Sequence, residues 1–86
     1  MSNFNSLYHI IKEQVEASEF IIREPSEIVG KPLSELQLKP DVLIAAILRG
    51  DKVKIPRGHD VIEVGDTVIL VTREMGLSDV TDALLS

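Results

Sequence analysis

The sequence predicts an α+β domain, a small and mostly antiparallel sheet of four to five strands with two or three short helices. Three observations lead there. Apolar residues run unbroken from Val42 to Leu48 and again from Val68 to Val71, lengths that suit buried strands. Gly50-Asp51 and Gly65-Asp66 interrupt the pattern as turns, the first of them at two-residue hairpin spacing. Helical spacing is confined to a few short stretches.

Taken in order, Asn5 to Gln14 carries Leu7, Tyr8, Ile10 and Ile11 at helical spacing, so residues 1–14 read as a helical arm or linker. Residues 15–86 then form one domain. Val15 to Arg23 reads as a strand ending in Phe20-Ile21-Ile22. Pro25 stops it, since proline offers no ladder donor and drives Glu24 into an extended conformation. After Gly30-Lys31, Pro32 suits the first position of a short helix bearing Leu33, Leu36 and Leu38. Lys39-Pro40-Asp41 breaks the chain before the long apolar strand. Gly50-Asp51 turns it into a half-buried partner in which Val53 and Ile55 alternate with Lys52 and Lys54. Pro56-Arg57-Gly58 ends that strand, and Val61, Ile62 and Val64 lead to the Gly65-Asp66 turn and the strand Thr67 to Thr72. Gly76 to Leu85 reads as a helix capped by Ser78, with Asp79 at its positive end and Leu77, Val80 and Leu84 on one face.

With 86 residues and no cysteine, the chain has a thin core and no disulfide to reinforce it. A partner subunit is the expected support. The pattern of the strands says the same. A strand with one wet face alternates apolar and polar residues, whereas Val42 to Leu48 does not. Two short helices can cover one face of the sheet, leaving the other as an apolar patch that monomers rarely tolerate. A two-fold homodimer solves this, with Ile44, Ala46 and Leu48 as interface residues. The alternative is that the N-terminal segment folds over the second face.

Net charge is −5, with scattered basic residues, which disfavours nucleic acid and adhesion to anionic membranes. No apolar run approaches the roughly 20 residues a membrane span needs, and no signal peptide is recognisable. His9 and His59 lie too far apart for a close-spaced metal pair, so no metal site is expected. His59-Asp60 is the one His–carboxylate neighbour pair, and its place after Arg57-Gly58 points to a turn rather than to catalysis. None of the 5 glycines forms Gly-x-Gly, so nucleotide phosphates have no usual cradle. No catalytic residue and no cofactor are expected. Lys39, Arg49 and Arg57 flank strand ends and turns. Near a two-fold axis they would line an anion-binding cleft with apolar walls; otherwise they are solubilising charges.

Gly30-Lys31-Pro32-Leu33-Ser34-Glu35-Leu36, VLIAAILRGDKVKIPRG over 42–58 and DVIEVGDTVILVT over 60–72 occur in an order that resembles the TrkA-C, or RCK C-terminal, domain of Trk potassium-uptake regulatory proteins. The resemblance runs from about Val15 to Leu85. It implies a TrkA-C-like fold in a cytoplasmic subunit at the inner face of the plasma membrane, where it gates a membrane potassium transporter without entering the bilayer. A purely structural assembly domain, or the regulatory domain of another cation transporter or antiporter, is the alternative. In that family a Rossmann-type nucleotide-binding domain precedes the module. Some relatives bind cyclic di-AMP between two such domains through an Arg and an Asn on a longer loop. Here that place holds only Lys39-Pro40-Asp41.

Overall fold

The long apolar stretch becomes the strand β2, Val42–Arg49, and folds back at Gly50-Asp51 onto β3, Lys52–Lys54. Arg49 pairs with Lys52 across the turn. Gly50 takes φ +63° while Asp51 stays at negative φ, the pattern of a type II′ turn, whose twist matches the flanking strands. β1, Glu16–Ile21, and β4, Thr67–Thr72, complete a four-stranded antiparallel sheet in the order β1-β4-β2-β3. This is a computed structural model, and it describes residues 15–73 and 77–85. The helical arm expected over residues 1–14 lies outside them.

The sheet has one covered face. Ile44, Ile47, Val68 and Leu70 point into a core completed by Ile22, Ile28, Ile62, Val80 and Ala83. The covering layer is largely irregular, and backbone hydrogen bonds hold it. Gly30 N–H donates to Ile62 C=O (2.9 Å), Leu33 N–H to Asp60 C=O (2.9 Å) and Ser34 N–H to Gly58 C=O (2.9 Å). Residues 30–34 are thereby stitched to residues 58–62.

The expected short helices are shorter still. Among the described residues only 3-10 turns occur, at Leu33–Glu35 and Val80–Ala83. Pro32 precedes the first turn as its N-cap instead of occupying its first position. The helix expected over 76–85 is reduced to one turn because extended pairing captures its end. Lys39 N–H donates to Ala83 C=O (2.8 Å), Leu85 N–H donates to Gln37 C=O (2.8 Å), and Leu84 bridges Leu38. The cap also shifts by one residue. Asp79, not Ser78, accepts from Thr81 N–H (3.1 Å), and Asp82 reaches back to Asp79 N–H (3.0 Å) in a capping box.

Candidate functional site

The second face of the sheet is built by the same strands as the core, one residue out of phase. Side chains alternate along a strand, so the neighbours of Val68 and Leu70 on β4, namely Thr67, Ile69 and Val71, face away from the core. The register sets Ala17, Glu19 and Ile21 of β1 on one side of this row and Leu43, Ala46 and Leu48 of β2 on the other. Val53 of β3 extends it past Leu48. Leu43 (61% exposed), Ile21 (53%) and Val53 (67%) stand out to solvent on this mostly apolar surface, which also bears Glu19 and Thr67.

A register shift divides the interface residues expected from sequence. Strict alternation puts Ile44, Ala46 and Leu48 on one face. The shift between Ile44 and Ala46 inserts Ala45 as an extra residue and changes the phase. Ile44 therefore lies in the core at 7% exposure, opposite Leu70. Ala46 and Leu48 lie on the open face, and Leu43 takes the place expected for Ile44.

The three cations expected to bind a ligand occupy different environments. Arg49 is engaged within the chain. Its Nε donates to Asp66 Oδ1 (2.8 Å) and one terminal nitrogen to Asp66 Oδ2 (2.8 Å), a bidentate pair. The same nitrogen donates to Val61 C=O (3.0 Å), and Glu63 lies 3.4 Å from the other terminal nitrogen. Asp66 is 1% exposed and also accepts from Glu63 N–H (2.8 Å). The Arg49 hydrogen bonds hold the Asp66 carboxyl below the usual carboxylate range, with burial opposing them, and Asp66 in turn raises Arg49. The cluster fixes the end of β2 to the turn before β4.

Lys39 is half-buried and lines a cavity of about 520 Å³ with Ser26, Glu27, Thr81, Asp82, Leu84 and Leu85. Arg57 is exposed, in the loop after β3. Its backbone N–H donates to Asp60 Oδ2 (2.7 Å), the largest cause of the lowered Asp60 carboxyl; Lys54 Nζ adds a bond to Oδ1 (3.1 Å). Asp60 thus closes a turn, while His59 is exposed, its Nε2 3.8 Å from Asp60. Sequence reasoning overlooked the Arg49–Asp66 pair. Register could have shown it: pairing Leu48 with Thr67 makes Arg49 and Asp66 the next two opposed residues.

The model of the TrkA-C domain family matches residues 17–85. The chain belongs to the TrkA-C domain family. It is 35% identical over 68 residues to a Methanosarcina mazei protein described as Trk system potassium uptake protein TrkA homolog 1, covering 79% of this chain and 15% of that protein. The Haemophilus influenzae Trk system potassium uptake protein TrkA is 36% identical over 70 residues, 81% of this chain and 15% of that one. The domain thus spans about 15% of the length of these relatives. Among solved structures, the RCK_C domain dimer of S. agalactiae BusR in complex with c-di-AMP superposes at TM-score 0.57 with 32% identity, covering 78% of this chain and 87% of that one. BusR in complex with its busAB-promotor DNA matches at TM-score 0.58 and 27% identity, covering 95% of this chain and 42% of that one. Among the described residues of this TrkA-C domain, no helix is long and apolar enough to cross a membrane.

Proposed function

We propose that this TrkA-C domain pairs with a second copy through its open sheet face and serves as the regulatory module of a cytoplasmic potassium-uptake subunit. The observation that carries the reading is the apolar face bearing Ile21, Leu43 and Val53, which nothing among the described residues covers. A face of this kind is self-complementary, and a two-fold dimer uses the same patch on both copies. The RCK_C neighbour, 32% identical, is itself a dimer. A small ligand seated where two copies meet would favour one arrangement of the subunits, and only differential affinity for the two arrangements can transmit a signal to the transporter at the inner membrane face. The net charge of −5 supports contact with protein rather than with nucleic acid.

A purely structural assembly role is the second reading, and one observation favours it. Of the three candidate cations, Arg49, at the end of β2, is already satisfied by Asp66, and Lys39 and Arg57 lie outside the strands. If this chain senses a nucleotide, Lys39 and Arg57 are its remaining candidates. Light scattering of the 86-residue chain, followed by thermal shift with cyclic di-AMP, separates the readings. A ligand at 100 times its Kd stabilises the fold by about 2.7 kcal/mol. A dimer stabilised in this way supports sensing; an indifferent dimer supports assembly alone; a monomer contradicts both.

A further inference from the structure

We propose that the free edge of β3 docks an extended segment of a partner protein in which acidic and β-branched apolar residues alternate.

β3 is an outer strand and pairs only with β2. The two-residue turn makes Arg49 and Lys52 a hydrogen-bonded pair, so Leu48 and Val53 form the next, non-hydrogen-bonded pair. The N–H and C=O of Val53 therefore point away from β2 in the plane of the sheet, where a further strand would meet them. Sheet edges are commonly blunted by short strands, lysines or proline, and β3 is short, carries Lys52 and Lys54 and runs into Pro56. Blunting alone does not account for the apolar residues set between them. Val53 is 67% exposed and Ile55 74%, the highest values for large hydrophobic side chains among the described residues.

Charge gives the edge a preference. Residues 49–59 hold Arg49, Lys52, Lys54 and Arg57 against the single carboxylate of Asp51, in a chain whose net charge is −5. Asp66 holds Arg49 and Asp60 holds Lys54. Lys52 and Arg57 are exposed and make no ion pair among the described residues. Side chains alternate along an extended chain, so Lys52 and Lys54 take one side of the strand and Val53 the other, with Ile55 next in the phase of Val53. A strand added here would set its own alternating side chains against these two sides. Apolar side chains would pack beside Val53 and Ile55, and carboxylates would meet Lys52 and Arg57. Backbone bonds to Val53 supply the attachment, and the lysines turn away cationic edges, a second β3 among them. These backbone contacts lie in the plane of the sheet, so the site serves a partner other than a copy across the open face.

The experiment is fluorescence anisotropy of a dye-labelled peptide of alternating glutamate and valine, titrated with the full chain. Saturable binding is expected, and Lys52→Glu combined with Arg57→Glu should weaken it about tenfold, because cross-strand attractions become repulsions. A peptide of alternating lysine and valine should show the reverse preference, binding that double variant more tightly than wild type. Val53→Pro removes the outward N–H and spares the bonds to β2, so it should weaken binding about fivefold. Urea unfolding checks that each variant keeps the fold, and the charge swap decides the matter if Val53→Pro does not. Three results overturn the proposal: no saturable binding, polyglutamate binding as tightly as the glutamate–valine peptide, or a folded Val53→Pro chain that binds like wild type. None of them bears on the pairing of two copies, which light scattering reads separately.

Discussion

Ile47 and Leu48 are adjacent on β2 and nearly equal in size, yet their environments differ. Ile47 packs beneath the layer of residues 28–38 and 80–84, opposite Val68. Leu48 lies beside Thr67 on the face that nothing in the described chain covers. The same contrast runs along β4, where Val68, Leu70 and Thr72 are buried while Thr67, Ile69 and Val71 are only half-buried. One face is finished by its own chain, and the other has the composition of a core without a lid. Hydrophobicity places both sets in a strand; the supply of covering segments decides which set becomes core. Apolar area on the covered face stabilises the folded chain itself, whereas the area left exposed on the open face would contribute only once a partner covered it.

The contrast is sharpest in cavity-forming substitutions. Ile47→Ala or Leu70→Ala should destabilise the domain by about 2–5 kcal/mol in urea unfolding, since each leaves a void in a thin core. An equal truncation on the open face, Leu43→Ala, should cost less than about 1 kcal/mol when measured at concentrations where the chain is monomeric. Equal losses at the two positions would mean that the open face is covered within the chain.

The Arg49–Asp66 cluster belongs to the finished side. Asp66→Asn removes the bidentate charge pair and should cost about 2–3 kcal/mol at neutral pH. Because the native carboxyl is held below its ordinary range, it binds its proton less readily folded than unfolded. Its stabilisation is therefore complete above about pH 5 and disappears as pH falls through the range below 4. Acid titration of unfolding should show wild type losing more stability than Asp66→Asn over that interval; parallel curves would remove the cluster from the account.

An effect of opposite sign is expected at Thr72. Its buried Oγ1 has no hydrogen-bond partner among the described residues. Thr72→Val keeps the shape and removes the orphaned hydroxyl, so a gain of about 1 kcal/mol is expected in the same unfolding assay. A loss would indicate that the hydroxyl is satisfied in solution.

Much of the sheet was legible in the sequence because its signals are local. The unbroken run Val42 to Leu48 and the Gly50-Asp51 turn each act within a few residues and sit where expected. The turn expected at Gly65-Asp66 centres one residue earlier, on Val64-Gly65, closed by Asp66 N–H to Glu63 C=O (3.0 Å). The helices were less legible. Leu77, Val80 and Leu84 have helical spacing, but Leu84 is taken by pairing with Leu38, more than forty residues away, which no local pattern discloses. The face of Ile44 was misjudged for a related reason. Ala45-Ala46 offers no sign of which alanine is the extra residue, and one residue of phase moves a side chain from one face to the other. Of the candidate cations, Arg49 carries an evident signal only once the strand register is known, whereas Lys39 and Arg57 sit in loops whose placement depends on the covering layer.

The most direct test of the open face is a substitution that a free surface tolerates and a buried interface does not. Ala46→Arg places a long cation at the centre of that face, beside Ile69, while leaving the core untouched. Light scattering combined with urea unfolding of this variant should show a monomer that still unfolds cooperatively, its stability within about 1 kcal/mol of a monomeric wild-type reference. A variant that remains dimeric would contradict the account, because two copies would then be meeting elsewhere.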